Sequence, residues 1–250
     1  MAKHKIAIGR LCVSGSHRQE VANWLVEATI STMSDAEVQP YVEDLLHIPV
    51  AQVPTDVARN KLVQVAQKEG VDFLFQVDDD AAPPEGFFKA AFLFLKKQKQ
   101  PSVIGCGYVC GGDQQQVQVF QWASPNNHAE KSFALMQIPR EDAARRTGIE
   151  EVANIGTHCI AYDMEAFLKI KTPHYAYEYD EAHTKVLSTE EVYCHRNMWL
   201  NGVKLYCAWD FWAGHVKNQT WGKPYVLQKK DIDKTYLEQA RGALKHDRQS

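Results

Sequence analysis

The stretch Phe73-Leu74-Phe75-Gln76-Val77-Asp78-Asp79-Asp80 constrains the fold of this 250-residue chain more than any other. A short apolar run stops at three consecutive carboxylates, and Ala81-Ala82-Pro83-Pro84 follows. Strands buried on both faces read as near-continuous apolar runs, and paired prolines do not continue a central strand. The pattern predicts a central strand whose carboxyl end presents acids at the edge of a sheet. In open α/β sheets that edge is where ligands bind.

The flanking sequence fits such a sheet. Residues 5–13 (KIAIGRLCV) read as a strand, and the loop from Ser14 to His17 follows. Val21, Trp24, Leu25, Ala28 and Met33 recur at helical spacing over 19–33. A second strand is predicted at 38–42, and Pro54-Thr55-Asp56 opens a helix that Gly70 ends. A helix over 84–97 and a buried strand over Ser102–Tyr108 follow the acids. This β-α-β-α-β-α-β order predicts an α/β fold with a mostly parallel sheet and helices on both faces. The second half reads as more irregular. It holds an alternating run at 117–122, a polar stretch over 125–151 with a short helix at 140–146, and a strand at 159–162. A short helix at 164–170, a loop at 173–185, a helix at 189–200, a last strand at 204–208 and a terminal helix at 232–245 complete it.

Composition sets the bounds. With 45% hydrophobic and 24% charged residues the chain suits a globular fold with a sizeable core. The net charge of −3 makes no whole-chain case for nucleic acid, although the tail from Lys217 to Ser250 carries +4 and leaves −7 for the rest. Six scattered cysteines without a C-x-x-C pair indicate a reducing compartment. The amino terminus lacks a signal-peptide pattern, and the greasiest helix is far too short for a bilayer, so a cytoplasmic location is expected.

Asp78 and Asp80 lie two apart, which in extended backbone points both side chains the same way. Carboxylates so placed repel unless a cation joins them. Hard oxygen ligands suit Mg²⁺ or Mn²⁺, whose shells are commonly completed by water and phosphate oxygens. The plainer alternative is a solvated acidic turn.

Taken in order, Thr55-Asp-Val-Ala-Arg59-Asn60, Asp78-Asp79-Asp80, Asn154-Ile-Gly156, Ser188-Thr189-Glu190-Glu191 and Ala213-Gly214-His215 resemble the GT-A glycosyltransferases. The likeness is to the family 2-like inverting enzymes that use nucleotide-diphospho-sugars, and it runs from about residue 5 to 216. It implies a GT-A (Rossmann-like) catalytic domain over 1–250. Residues 1–110 would form the nucleotide-sugar and metal half, 111–216 the acceptor half, and 217–250 a basic tail. It implies that Asp80 ligates Mn²⁺ or Mg²⁺ and that Asp78 meets the ribose, or the metal through water. His215 would be a further ligand, and a UDP-sugar is the favoured donor. Of the acidic pair, Glu191 is expected as general base and Glu190 as acceptor-binding. This chain has Glu-Glu where the family commonly has Glu-Asp, and acids in a first helical turn also favour the helix dipole.

Around these, Arg59 would hold a phosphate or brace the aspartates, with Asn60 and Asp79 beside the nucleotide and Ser14 and His17 bordering it. Trp209, Trp212 and Trp221 could form an acceptor platform or a lid, or simply core, and the loop 218–224 could close over the donor. The acceptor hydroxyl is open: a glycan, or a hydroxymethylated DNA base received by flipping. Two other classes stay open. A nucleotidyltransferase would need a glycine-rich basic loop after the first strand, of which Gly9-Arg10…Gly15-Ser-His-Arg18 is a poor version. A non-catalytic sugar-nucleotide-binding module would have no need of the acids.

Overall fold

The computed structural model describes residues 2–12, 19–51, 54–110, 116–124, 126, 133–216 and, as backbone, 220–221. Ser14, His17, the loop at 218–224 and the helix expected at 232–245 lie wholly or largely outside these. In chain order the strands are β1 (His4–Leu11), β2 (Val42–Val50), β3 (Phe73–Asp78), β4 (Ala81–Ala82), β5 (Ser102–Tyr108), β6 (Val119–Trp122) and β7 (Leu135–Gln137). Then come β8 (Ile149–Val152), β9 (Asn154–Ile155), β10 (Cys159–Asp163), β11 (Glu178–Tyr179), β12 (Val186–Ser188), β13 (Lys204–Val216) and β14 (Thr220–Trp221). The helices are α1 (Gln19–Ser34), α2 (Thr55–Lys68), α3 (Phe87–Leu95), α4 (Arg140–Ala143), α5 (Glu165–Leu168) and α6 (Glu190–Leu200).

The main sheet runs β14-β13-β5-β10-β3-β1-β2, with β4 and β8 paired to β13. Strands β2, β1 and β3 are parallel neighbours, as are β5 and β13; β10 is inserted antiparallel between β3 and β5. Strand alternation sorts the core onto two faces. Ile6, Ile8, Phe73, Phe75 and Val77 pack with Trp24 of α1 and Phe88 and Phe92 of α3. Ala7, Leu11, Leu74, Ile160 and Tyr162 pack with Leu62 of α2 and Met198 of α6. The mixed α/β sheet with helices on both faces is thus as the periodicity predicts. All six cysteines are free, and five are buried. Among the described residues no helix is long and apolar enough to cross a membrane.

Two departures from expectation bear on the main sheet. The second strand lies at Val42–Val50, not 38–42: Pro40 opens a 3₁₀ turn over Gln39–Tyr41, and Val38 is buried there without joining the sheet. Pro lacks the N–H a strand ladder needs but suits a first helical position. The last strand does not stop at 208. A bulge between Ala208 and Trp212 lets β13 leave β8 and continue to Val216, where Gly214 and His215 pair with Ala82 and Ala81 of β4.

Candidate functional site

The carboxyl end of β3 collects the chemistry. Strand pairing sets His158, just before β10, beside Asp78, whose N–H donates to the His158 carbonyl at 3.1 Å. The β13–β4 ladder brings His215 over Asp80, and the Val216 N–H donates to the Asp80 carbonyl at 2.7 Å. One ligand atom each from Asp80, His158 and His215 falls within 4.8 Å of the others. His215 Nε2 lies 3.0 Å from Asp80 Oδ2. His158 Nδ1 lies 3.4 Å from Asp78 Oδ2 and 3.6 Å from Asp80 Oδ1. The other nitrogen of His158, Nε2, stands 3.1 Å from the Gly214 carbonyl and donates its hydrogen there. That bond leaves Nδ1 facing two carboxylates, an arrangement suited to a shared cation. A ring nitrogen tied to a backbone carbonyl while its partner faces the metal is the usual support of a metal-binding histidine.

Tyr108 stacks on His158 with centroids 4.7 Å apart and meets His215 edge-on at 6.1 Å. Gly156 makes room for this stack, because a Cβ there would collide with the Tyr108 ring and hydroxyl. The glycine of the Asn154-Ile-Gly156 motif therefore shapes the wall of the site.

Behind the donors lies a buried charge network. Arg59, on α2, is 3% exposed. Its Nη2 donates to Asp78 Oδ1 and Oδ2 at 3.0 and 3.3 Å, its Nη1 to Gln76 Oε1 at 3.2 Å, and its Nε to Glu190 Oε1 at 3.3 Å. Burial would raise the Asp78 carboxyl, but Arg59 first and His158 second hold it below the usual carboxylate range. Burial would likewise lower Arg59, and Asp78, Tyr175 and Glu190 raise it instead. Tyr175 donates its hydroxyl to Gln76 Oε1 at 3.3 Å, and His195, fully buried, is pushed down to about 3 by burial and Arg59. His195 is therefore neutral, its Nδ1–H donating to Asn154 Oδ1 at 2.7 Å and its Nε2 accepting from the Tyr162 hydroxyl at 3.1 Å.

The acidic pair opens α6, and its two members differ. Glu190 is 6% exposed and tied to Arg59, with Tyr177 also hydrogen-bonded to it. Glu191 is half-buried, and burial first and Glu190 second push it up to about 7. Tyr108 feels the charges of both Glu191 and Asp78, so the acid pair and the donor cluster share one electrostatic environment.

Asp78, Asp80, His215, Arg59, Glu190 and Glu191 thus gather at one sheet edge, while Asn60 does something different. Its Oδ1 accepts the N–H groups of His174 and Tyr175, and its Nδ2 donates to the Asp56 and Tyr175 carbonyls. With its amide fully occupied, it pins the 174–175 segment to α2. Asp79 looks toward the end of β1, where it acts on Cys12. Trp209 is core at 0% exposure, its Nε1 donating to Glu150 Oε2, and Trp212 donates to the Trp209 carbonyl. A half-buried aromatic group is found instead at Trp122, Phe133 and Trp199, with centroids 4.7 to 5.7 Å apart. The residue that sequence reasoning passes over is His158. Its signal is a histidine immediately before the apolar run 159–162, and it becomes readable only when that strand is paired antiparallel to β3.

No protein-family model matches the chain, and no curated protein matches it. Among solved structures, the fold is similar to that of A197 from STIV, with a TM-score of 0.55. The two share 13% identity, and the likeness covers 90% of this chain and 97% of that one. At that identity the likeness is one of fold.

Proposed function

We propose that the protein is a metal-dependent glycosyltransferase that moves a sugar from a nucleotide-diphospho-sugar to an acceptor hydroxyl, with inversion. The observation that carries this reading is the link that Arg59 makes from Asp78, beside the Asp80, His158 and His215 donors, to Glu190, the neighbour of Glu191. Asp80, His158 and His215 would hold the cation; two imidazoles and one carboxylate suit Mn²⁺ better than Mg²⁺, which prefers oxygen throughout. When bound, the cation supplies Lewis-acid neutralisation of charge on the departing diphosphate.

The chain's own residues do the rest. Asp78, kept ionised by Arg59, is a fixed acceptor for a donor hydroxyl such as that of the ribose. Glu191 takes the acceptor proton as general base, and a carboxyl near 7 is matched to that task at neutral pH. Glu190 is held as the buried partner. The acceptor, a glycan or a hydroxymethylated base, is left to experiment. The same donor set also matches the two-histidine, one-carboxylate face of non-haem iron sites, which gives a second reading to test.

The test is thermal shift of the full chain with Mn²⁺, Mg²⁺, Zn²⁺ or Fe²⁺, each with and without UDP, GDP and their sugars. Stabilisation that needs Mn²⁺ and nucleotide together, and is lost in Asp80→Ala and His158→Ala, is expected. Stabilisation by Fe²⁺ alone, indifferent to nucleotide, would favour the iron reading and sink the transferase. Transfer is then read by mass against pooled acceptors, modified DNA included.

A further inference from the structure

We propose, resting on the transferase reading above, that Arg59 is a positioning residue joining the two halves of the site. It holds Asp78 and Glu190 together, so that Glu191 is the carboxylate left to meet the acceptor. The sequence permits two roles for this arginine, phosphate ligand or brace. The geometry selects the brace. Each of its three guanidinium nitrogens already has an acceptor within 3.3 Å, and its side chain is 4% exposed, so little of the fork faces an arriving phosphate.

The partners sit on separate elements: Asp78 ends β3 beside the cation donors, and Glu190 opens α6. A planar fork can span two carboxylates and a side-chain amide at once, whereas an ammonium is a point charge on a flexible stem. Neither acid can turn away without leaving Arg59 short of a buried counter-charge. Among the described residues, groups whose charges act with Glu191 include Glu190 and Cys194 on α6, Tyr177 on the preceding loop, Tyr108 at the end of β5 and Tyr162 on β10. Arg59 reaches the base through Glu190: its Nε bond at 3.3 Å fixes the carboxyl that is itself hydrogen-bonded to Glu191.

The experiment is an NMR titration of glutamate carboxyls in the full chain, wild type against Arg59→Lys and Glu190→Gln. Removing the like charge in Glu190→Gln lowers the Glu191 midpoint by about one pH unit. In Arg59→Lys the midpoint rises, because the ammonium cannot hold both acids. In steady-state transfer, Arg59→Lys reduces kcat about tenfold and leaves the donor KM within about threefold of wild type. A Glu191 midpoint unmoved in a folded Arg59→Lys, or unmoved in Glu190→Gln, would falsify the proposal. So would a loss in Arg59→Lys confined to donor KM, which marks a phosphate contact. Should Arg59→Lys fail to fold, Glu190→Gln retains the Arg59–Asp78 pair and still gives the midpoint. The titration needs no turnover: a wild type that transfers no sugar sinks the transferase reading, and an unmoved midpoint beside intact transfer sinks only the role of Arg59.

Discussion

The cation donors and the acidic pair are built in opposite ways. Asp80, His158 and His215 are fixed by backbone: each stands on or beside a strand whose ladder to its neighbour sets where the side chain points. Glu190 and Glu191 share one helix start, and what separates their roles is side-chain chemistry, an arginine on one and part-exposure on the other. Ladder-fixed donors suit a ligand of set geometry. A carboxyl governed by its neighbours can be tuned, and its proton affinity is where such tuning shows.

Substitutions can press on this contrast. The largest expected effect is at the ladder-fixed end. Asp80→Ala removes the bridging carboxylate and should abolish cation-dependent stabilisation, with transfer down by roughly 10²-fold or more; retained Mn²⁺ dependence in thermal shift would move the cation elsewhere. Glu191→Gln should cost about 10² to 10⁴ in kcat. It should also erase the limb over which wild-type rate rises with pH through about 7, since only the ionised carboxyl accepts a proton. A surviving limb would assign it to another group. The same raised affinity means that the folded state binds this proton more tightly than the unfolded chain. Its contribution to stability is therefore complete in acid and declines as pH rises through about 7.

Arg59→Ala leaves the buried Glu190 and the half-buried Asp78 without their cation and should cost about 3 kcal/mol in denaturant unfolding. A loss under about 1 kcal/mol would mean that water reaches the acids. Gly156→Ala forces Tyr108 off His158 and should cost about 1–3 kcal/mol, with weaker Mn²⁺ binding as a second readout. Smallest is Arg196→Ala. This arginine makes paired bonds of 2.8 and 2.7 Å to Glu178 near the surface, and its loss should cost under about 1 kcal/mol.

How much of this was legible in the chain follows from what fixed each part. Strand β3 and its acids could be read directly, because burial on both faces writes an uninterrupted apolar run and the turn after it writes prolines. The parallel frame followed from the alternation of strand-like and helix-like periods. Strand β2 was displaced because Val38 and Val42 look strand-like on either side of a proline that makes a 3₁₀ turn. His158 was hidden because its role depends on antiparallel pairing across 80 residues of chain, which periodicity does not encode. For Trp209 the choice between platform and core could not be made from sequence, because its proximity to His215 there does not show that the chain bulges after Ala208 and Trp209 goes to the core. Arg59 could be singled out by position; its three-way bonding could not.

The bulge in β13 has a consequence for how this chain can vary. Strand side chains alternate faces, so the number of residues between Ala208 and Trp212 sets the parity of everything after it. Exchanging one side chain for another within 209–211 keeps that parity. Dropping or adding a single residue inverts it: the imidazole of His215 would turn to the opposite face of the strand, and Val216 after a deletion, or Gly214 after an insertion, would stand where a ligand is needed. The cluster would then lose one of its three donors with all three residues still present in the sequence. Length, at that point of the chain, carries as much chemical information as identity.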